Sequence, residues 1–274
     1  MRELSIEEVK RIELEITEDI ARFCEENGID YFLCGGSMLG AVRHKGYIPW
    51  DDDIDISMTR DNYEKFVKAY HSDKYQLCYT GGEEDFFLPF AKVYDKRTIL
   101  TGTTDYGCEM GVWADILPMD KVPSDQAEME KFVKKMIKRR YFIMAATATD
   151  LNMDKRRLAS RVYIRFVRVL KKLFGIKNIN VVKKFIADAQ KYNDIETDKA
   201  GCVVWGYGMR EICPKYVFDE TELAPFEHLN LRILTHYDTY LSSIYGDYMK
   251  LPPVEQQVLK HGDNTFYMRD SAEE

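Results

Sequence analysis

The amino-terminal part of the chain carries the apolar periodicity of a helix. Apolar residues recur at every third or fourth position: Val9, Ile12, Ile16, Ile20 and Phe23. Residues with this spacing share one face, so that face of the helix is buried. Ser5 starts the helix with Glu8 as its capping-box partner, and Gly28 ends it. The pattern therefore predicts one long amphipathic helix from Ser5 to Gly28.

Short apolar runs separated by turn residues follow this helix, and they are typical of strands. Tyr31–Cys34 predicts a buried strand, and after a Gly-Gly break Ser37 caps a short helix that runs through Val42. The residues Lys45–Trp50 then form a loop. Further strands are predicted at Ile54–Met58, Tyr75–Tyr79, Phe87–Tyr94, Ile99–Thr101 and Val112–Leu117. Pro118 is expected to end the last of them.

The second half of the chain is mainly helical. After Pro123 the pattern stays helical to about Tyr192, and mixed structure with a strand at Leu229–Leu234 follows. Strands that come first, followed by a block of helices, predict an α+β fold. We divide the chain into a catalytic core at residues 1–122, an added basic helical region at residues 123–199, and a C-terminal part at residues 200–274 that packs back on the core.

The net charge of −7 hides a strongly basic segment. Between Lys131 and Lys172 the chain has 14 Lys and Arg residues against two Asp, so this segment carries +12. Its basic positions recur at helical spacing beside an apolar stripe of Leu158, Val162, Phe166, Val169 and Leu173. Such a helix either lies on an anionic membrane surface or packs on the core with its Arg side chains in water. The overall pI of about 5.4 argues against nucleic acid as a partner.

The start of the chain and its cysteines indicate the cellular compartment. Met1–Lys10 is charged and no long apolar stretch follows, so we predict neither a signal peptide nor a membrane span. We expect a cytoplasmic protein that can lie peripherally on the inner face of the cell membrane. The six cysteines include no C-x-x-C pair and are predicted to be reduced, partly buried thiols. A zinc site at Cys202, Cys213 and His228 is the alternative.

The chemically informative stretch is the run of aspartates Asp51, Asp52, Asp53 and Asp55. Residues two apart on a strand point to the same face, so Asp53 and Asp55 are expected to project together, about 7 Å apart. Two like charges this close raise a pKa unless a cation lies between them. Mg²⁺ is the natural cation, with Mn²⁺ as a substitute, because it takes carboxylates together with phosphate oxygens and water.

Two further features accompany the aspartates. The turn Gly35-Gly36-Ser37 lets backbone N–H groups approach a phosphate closely at the start of a helix. A third carboxylate is expected on a neighbouring strand, and Asp115 fits because it lies within an apolar run, where a charge is costly unless it is paired or binds metal. Asp120 is a weaker candidate. Together these residues suit the binding of a metal-chelated diphosphate.

Three segments carry a family resemblance. The run from Gly35 to Ile56 reads GGSMLGAVRHKGYIPWDDDIDI, and it closely resembles the signature of the LicD family of phosphotransferases, which includes the domain of fukutin and fukutin-related protein. Val112–Asp120 is similar to the family's D-I-x-P-x-D segment. Tyr245–Pro253, followed by His261, is similar to its closing motif. The middle of the chain, Ser124–Lys199, carries no such resemblance.

The resemblance implies both a fold and a reaction. The fold is nucleotidyltransferase-like, with a mixed sheet at its core. The reaction is transfer of a phospho-alcohol, such as phosphocholine, from a CDP-linked donor to a hydroxyl of a cell-surface glycan or its lipid-linked precursor, with release of CMP. The implied setting is decoration of a capsule, a teichoic acid or lipopolysaccharide. Ribitol phosphate, glycerol phosphate and phosphoethanolamine remain open as the transferred group.

Residue roles follow from the same resemblance, position by position. Asp53, Asp55 and Asp115 are expected to be catalytic metal ligands with Asp51 in support, and Asp115 or Asp51 is expected to take the proton of the acceptor hydroxyl. Arg43 can neutralise phosphate charge or pair with an aspartate. The residues expected to bind substrate are Gly35, Gly36, Ser37, Arg43, His44, Lys45, Trp50, Asp120 and His261. The aromatic residues that could enclose a choline ammonium are Trp50, Trp113, Tyr31, Tyr94 and Tyr106.

Three other functions fit parts of the pattern. A nucleotidyltransferase that moves a nucleotide from a nucleoside triphosphate to a small molecule or sugar would use the same aspartates and release pyrophosphate. A metal-dependent glycosyltransferase also uses an Asp-x-Asp pair, but it would lack the Gly-Gly-Ser turn at this distance. A catalytically silent scaffold that only binds nucleotide or membrane would have no use for the carboxylates, since buried charges without a metal are costly.

Overall fold

A computed structural model describes residues 1–102, 104–150, 153–258 and 264–270 of the chain. Its helices are α1 (Ile6–Asn27), α2 (Gly35–His44), α3 (Arg60–Ala69), α4 (Gln126–Ala146), α5 (Leu158–Phe174), α6 (Asn178–Ala189) and α7 (Tyr237–Tyr245). Its strands are β1 (Arg2–Glu3), β2 (Phe32–Leu33), β3 (Asp55–Thr59), β4 (Tyr75–Cys78), β5 (Ala91–Asp95), β6 (Thr98–Thr101), β7 (Trp113–Val122), β8 (Lys199–Gly201), β9 (Cys213–Pro214), β10 (Thr221–Phe226), β11 (Leu229–Leu234) and β12 (Thr265–Met268).

The central sheet has the strand order β2-β3-β7-β5-β4, with β8 paired to the far end of β7 and β9 paired to β8. Strands β3 and β7 are parallel, whereas the other pairs of this sheet are antiparallel. The mixed sheet confirms the α+β prediction. Its register places Asp55 of β3 opposite Asp115 of β7, and Asp115 opposite Lys92 of β5. One row across three strands therefore carries three charged side chains.

Strand β7 is longer than the sequence predicted, because it continues through Pro118 to Val122. Proline removes one backbone donor, which normally ends a strand. Here β5 pairs with β7 only as far as Ile116, and β8 pairs with it only from Asp120 onward. Pro118 thus lies in the gap along β7 between the stretch paired with β5 and the stretch paired with β8. Neither of these strands needs the N–H that proline lacks. The prediction that Pro118 ends the strand was wrong for this reason.

Two other element boundaries differ from the predictions. Helix α2 starts at Gly35 with Cys34 as its N-cap, so Ser37 lies inside the first turn and does not cap the helix. Strand β5 starts at Ala91, because the preceding residues form a loop fixed by Thr80. The Thr80 hydroxyl is 3.0 Å from the Phe86 carbonyl and 2.8 Å from the Leu88 carbonyl, which are the oxygens a strand would offer to its neighbour.

The C-terminal part returns to the core. Strand β12 pairs with β6 and with β1, so a three-stranded sheet joins both ends of the described chain beside the central sheet. One hydrophobic cluster extends from Leu4 to Tyr248, while α5 rests on a small second cluster of Ala145, Ala146, Ile164 and Val167. The division into three parts stays a prediction about folding units. Within the part of the chain that the structure describes, no helix combines the length and the hydrophobicity that a membrane span requires.

Candidate active site

The charged row of the central sheet contains a buried lysine that was not predicted from the sequence. Lys92 is 3% exposed, and its ammonium donates a hydrogen bond to Oδ1 of Asp115. The same Nζ lies 3.9 Å from the centre of the Trp113 ring. A buried ammonium is tolerated because a carboxylate and an aromatic face surround it. The signal was present in the sequence, since Lys92 interrupts the apolar run FFLPFAKVY just as Asp115 interrupts its own strand.

The aspartate run lies directly before β3 and bends toward this row. Carboxylate oxygens of Asp51, Asp52 and Asp53 all lie within 4.8 Å of one another, close enough to share a metal ion. Asp53 precedes the strand, because β3 begins at Asp55. Withdrawal from water raises the pKa of the Asp55 carboxyl well above its ordinary value, and the charges of Asp53 and Asp115 raise it further. The cluster is thus a set of hard oxygen donors with a surplus of negative charge, which matches a Mg²⁺ site.

The Gly-Gly turn brings the start of α2 against the carboxylates. A Cβ on Gly36 would lie 2.6 Å from Oδ2 of Asp51, and a Cβ on Gly35, whose φ is +52°, would lie 3.7 Å from Oδ2 of Asp55. Only glycine at position 36 allows the first turn of the helix to approach the aspartate run this closely. Ser37 in the first turn of α2 holds the end of the aspartate run in place, because its Oγ accepts a hydrogen bond from the backbone N–H of Asp55 at 2.8 Å.

A buried glutamate supports the same turn from behind. The Gly35 N–H donates to Oη of Tyr240 at 3.3 Å, and Tyr240 in turn donates to Oε1 of Glu211 at 3.0 Å. The second oxygen of Glu211 accepts the backbone N–H of Tyr207 at 2.8 Å. Burial raises the pKa of Glu211 to about 7. No sequence pattern pointed to Glu211, because the Tyr240 hydroxyl that it binds is 29 residues away and the Gly35 N–H that this hydroxyl accepts is 205 residues from Tyr240.

Two cavities meet at Asp53. The larger, of about 710 Å³, is enclosed by α2, the aspartates Asp51, Asp53 and Asp55, and the segment Tyr245–Pro253. The smaller, of about 270 Å³, is lined by Asp52, Asp53, Trp113 and Asp115 together with residues from both ends of the chain. The carboxylates therefore lie at the junction of two concave surfaces, an arrangement that can hold two substrates against one reacting centre.

Aromatic side chains line both cavities. Trp50, Tyr207 and Tyr245 border the larger one, and the hydroxyls of the two tyrosines lie 2.7 Å apart. Trp113 and Phe266 border the smaller one, with ring centres 5.3 Å apart. Of the aromatic residues considered from the sequence, Tyr31 and Tyr94 are buried in the core, and Tyr106 packs against Trp113. Tyr207 did not stand out in the sequence, and Tyr245 was noted only as the first residue of the closing motif.

A second buried carboxyl adjoins the smaller cavity. Glu13 of α1 is 4% exposed, and its Oε2 accepts a hydrogen bond from the Tyr47 hydroxyl at 3.0 Å. Burial raises the pKa of Glu13 well above its ordinary value, and the charge of Asp53 raises it further. The periodicity of α1 had suggested only a structural role for this helix. Its inward face also contributes an acidic group to the site.

Several residues expected to bind substrate lie elsewhere. Asp120 has no exposed surface, and it forms a two-pronged ion pair with Arg60 at 2.8 and 2.7 Å, because its side chain points to the face of β7 opposite Asp115. His44 accepts a hydrogen bond from Arg43 at 2.9 Å and is absent from both cavity walls, as is the exposed Lys45 that ends α2. His261 lies outside the described residues.

Arg43 lies on the wall of the larger cavity and binds the backbone of the segment that borders this cavity. Its Nη1 donates to the backbone carbonyl of Tyr248 at 2.6 Å, which fixes the segment Tyr245–Pro253 over α2. That segment is the third of the motifs singled out in the sequence. The first and third motifs are thus joined in space by an arginine that belongs to the first.

Comparison with known proteins places these motifs in a family. The family model described as LicD/FKTN/FKRP, nucleotidyltransferase domain, matches residues 28–139. The lipopolysaccharide cholinephosphotransferase LicD of Haemophilus influenzae is 31% identical over 276 residues, which cover 98% of this chain and 100% of that protein. Ribitol 5-phosphate transferase FKRP of Homo sapiens and of Mus musculus is 53% identical over 34 residues, 12% of this chain and 7% of each relative.

Proposed function

The chain belongs to the LicD family of phosphotransferases, and from this membership we propose that it transfers a phospho-alcohol, with phosphocholine as the first candidate, from a CDP-linked donor to a glycan hydroxyl. The products are the phosphodiester-modified glycan, or its lipid-linked precursor, and CMP. The observation that carries the proposal is the convergence of Asp51, Asp53, Asp55 and Asp115 at the junction of two cavities. A full-length relative named as a cholinephosphotransferase supports the choice of choline.

Metal binding is part of the proposal. Asp53, Asp55 and Asp115 would hold Mg²⁺, because the charges of Asp53 and Asp115 act on the desolvated Asp55 carboxyl and leave a surplus of negative charge that a hard cation neutralises. The chemistry that Mg²⁺ supplies when bound is neutralisation of the diphosphate and of the charge that develops on the departing CMP.

The chain's own residues perform the remaining steps. Arg43 and Lys250, both on the wall of the larger cavity, offer positive charge to the donor phosphates. Asp51 lines the larger cavity, but one of its carboxylate oxygens lies within 4.8 Å of those of Asp52 and Asp53, which line the smaller one. From this position at the junction Asp51 accepts the proton of the acceptor hydroxyl, since Asp115 already receives a hydrogen bond from the Lys92 ammonium. One P–O bond to CMP breaks while one P–O bond to the acceptor oxygen forms. The proton moves to Asp51, and CMP leaves with the bonding electrons.

We assign the two substrates to the two cavities. The larger cavity takes the donor, because it offers space for a nucleotide and combines Trp50, Tyr207 and Tyr245 with acidic side chains. Aromatic faces beside carboxylates are the surroundings that a quaternary ammonium prefers. The smaller cavity, on the other side of Asp53, takes the acceptor hydroxyl. A donor without a cationic head group would leave this aromatic and acidic wall without a role.

The first test is product analysis. Purified protein is incubated with Mg²⁺ and a panel of CDP-linked choline, ethanolamine, ribitol and glycerol, and CMP release is measured with and without acceptor glycans. We expect CMP from one donor, none in EDTA and none from Asp53→Asn. Pyrophosphate from a nucleoside triphosphate, without CMP, would instead establish a nucleotidyltransferase. Nucleotide binding without either product would establish a scaffold.

A membrane surface is the second partner that we propose, and helix α5 carries it. The apolar stripe noted in the sequence faces outward: Leu158, Val162, Phe166, Val169 and Leu173 are each between 56% and 74% exposed. Only Ile164 and Val167 of this helix are buried. An outward apolar stripe of this length is unusual in a protein that contacts only water. It is the form expected of a helix that lies in a membrane interface.

The basic residues beside the apolar stripe of α5 favour an anionic bilayer, and not a second copy of the chain, as its binding partner. On a helical projection, Arg161, Arg165 and Lys172 follow one edge of the stripe. Two such faces brought together would place like charges against each other, whereas acidic phospholipid head groups would neutralise them. The inner face of the cell membrane would present both the lipid-linked acceptor and this charge.

Vesicle sedimentation tests the membrane proposal. We expect binding to phosphatidylglycerol vesicles at low salt, and a loss of more than about tenfold in the pair Phe166→Ser and Val169→Ser, since each buried apolar side chain contributes about 1.5–3 kcal/mol. Tyr141→Ser is the matched control, because Tyr141 is an exposed aromatic on α4. Equal binding by the double variant and wild type, or no binding at low salt, would reject the proposal.

A further inference from the structure

Two cysteines and a glutamate approach one another away from the aspartates. The Sγ atoms of Cys108 and Cys78 are 3.5 Å apart, and these two sulfurs and a carboxylate oxygen of Glu84 all lie within 4.8 Å of one another. Cys78 ends strand β4 and is buried, Cys108 is partly buried, and Glu84 is exposed. The sulfur of Met110 lies 3.9 Å from that of Cys108. The three side chains come from three separate stretches of chain.

The backbone around this cluster is fixed by its own contacts. The Phe87 N–H donates to the Tyr106 carbonyl at 2.9 Å, which joins the loop before β5 to the loop before β7. Gly107 makes the close approach feasible: its φ is +85°, and a Cβ there would lie 2.6 Å from the Asp85 carbonyl oxygen. The approach of Cys108 to Cys78 is therefore built into the two loops.

We infer that Cys78, Cys108 and Glu84 form a zinc site. Two thiolates on one tetrahedral Zn²⁺, each about 2.3 Å from the ion, are about 3.8 Å apart, close to the separation of these sulfurs. A carboxylate is the third ligand, and water completes the coordination. The surrounding loops add Glu83, Asp85 and Glu109, which favour a cation over two free thiolates. Binding releases the thiol protons to solvent.

The same neighbourhood argues against a disulfide as the resting state. The sulfurs are 3.5 Å apart, farther than the ~2.05 Å of a covalent bond. Among the described residues, the alternative set Cys202, Cys213 and His228 does not gather into a group of metal ligands. The zinc site lies on other cysteines than those considered from the sequence.

The proposed site has a structural role beside the active site. Zinc would tie the end of β4 to the loop that carries Tyr106. The Tyr106 ring lies 6.0 Å from the Trp113 ring and 5.7 Å from the Lys92 ammonium. The ion would thus stabilise the packing behind the Lys92–Asp115 pair without contacting substrate.

Cobalt(II) titration of the reduced protein tests this inference. We expect one equivalent of Co²⁺ to produce the near-ultraviolet thiolate-to-metal charge-transfer band, which cobalt bound only by aspartates cannot give. Cys108→Ser and Cys78→Ser should abolish the band. Glu84→Gln should keep it but weaken binding by more than about tenfold, at least the loss seen when a supporting group of a metal site is removed. Added Zn²⁺ should displace the cobalt.

Cys213→Ser is the matched control, because Cys213 is a buried thiol outside the cluster, and its band should equal that of wild type. A folded wild-type protein without the band would overturn the inference. So would a band that persists in Cys108→Ser, or a protein purified without oxidant whose Cys78 and Cys108 are already joined by a disulfide. The readout is independent of catalysis, so its failure leaves the proposed transfer reaction untouched.

Discussion

Among single residues, Asp55 is where the needs of folding and of the proposed catalysis oppose each other. Its carboxyl is drawn out of water next to Asp53 and Asp115, and its pKa is raised accordingly. A group whose pKa is raised in the folded state stabilises the fold when protonated, and this stabilisation is lost as pH rises through the raised value. Without a cation, the ionised site therefore weakens the protein at neutral pH.

Asp55→Asn should separate these two effects. In EDTA near pH 7 we expect the variant to be more stable than wild type, because asparagine brings no charge into the desolvated site beside Asp53 and Asp115. Transfer activity should fall by about 10²-fold or more, because a metal contributes several kcal/mol to the transition state. Mg²⁺ should raise the melting temperature of wild type but not of the variant. Asp73→Asn, an exposed position, is the control, and a destabilised Asp55→Asn would contradict the argument.

Lys92 presents the opposite charge at the same row of the sheet. Lys92→Met should destabilise the protein by about 3–5 kcal/mol, because it leaves Asp115 without its buried counter-ion. The double variant Lys92→Met with Asp115→Asn should recover a large part of that loss, since it removes the uncompensated charge as well. Urea unfolding in EDTA gives the free energy of unfolding of wild type, of each single variant and of the double variant, which together form a double-mutant cycle. Additive effects would mean that the two side chains do not act as a pair.

These residues also mark what the sequence could and could not predict about the site. Asp53 and Asp55 were found from the two-residue spacing of a strand, and Asp115 because a charge inside an apolar run is costly. The structure brings Asp53 and Asp115 near enough to Asp55 for their charges to raise its pKa, although β3 begins only at Asp55. Lys92 carried the same signal as Asp115 and was overlooked. Asp120 is also a charge among apolar residues, but it is buried because it pairs with Arg60 and not because it belongs to the site. Arg60 is 60 residues away, so no local pattern reveals this pair. Their catalytic roles stay predictions.

At the scale of elements, the Glu211 side chain links the short helical turn Gly208–Glu211 to α7 and, through α7, to the start of α2. It accepts hydrogen bonds from the Tyr207 backbone and from Tyr240 of α7, which in turn accepts the Gly35 N–H at the start of α2. The position of the Gly-Gly turn therefore depends on a short helical turn, Gly208–Glu211, and on α7. Burial prevails over these hydrogen bonds and raises the pKa of the Glu211 carboxyl to about 7.

The raised pKa sets the sign of a pH effect. Stabilisation by protonated Glu211 is complete below the ordinary carboxyl pKa of 4.5 and is lost as pH rises to about 7. We expect this to contribute a decline on the order of 3 kcal/mol across that window. Glu211→Gln should flatten the curve of unfolding free energy against pH, whereas Glu222→Gln at an exposed position should not. An unchanged slope in Glu211→Gln would contradict the prediction.

Element boundaries were less predictable than the elements themselves. The periodicity of α1 and its capping box were read correctly, because both are local. The extent of β7 through Pro118 was not, since it depends on where β5 stops pairing and β8 begins. The outward orientation of the α5 stripe could not be read from spacing either, because a buried and an exposed apolar face have the same period.

At the scale of the whole molecule, both ends of the described chain build one wall of the site. β1 and β12 pair with each other, and Glu3, Leu4 and Phe266 line the smaller cavity. The sheet order that achieves this joins residues more than 260 positions apart: Arg2 pairs with Met268. The sequence analysis predicted that the C-terminal part packs back on the core, but no pattern predicted that it pairs with the start of the chain.

A chain that stops at Val258 should test this wall. We expect the central sheet to keep its circular dichroism and donor binding to persist. The apparent KM for acceptor should rise by about tenfold, as for the loss of about 1.4 kcal/mol of contact energy. A chain that stops at Asp270, which retains β12, should behave like the full sequence. Loss of donor binding in the shorter chain would show that the two cavities are not independent.

The meeting of the two cavities at Asp53 has a stereochemical consequence. If the donor and the acceptor occupy the two cavities as proposed, the attacking hydroxyl and the departing CMP oxygen lie on opposite sides of the same phosphorus, and no side chain of the enzyme needs to carry the group in between. Each turnover is then one displacement, with an odd number of substitutions at phosphorus. A donor made chiral at that phosphorus with oxygen isotopes should yield a product of inverted configuration.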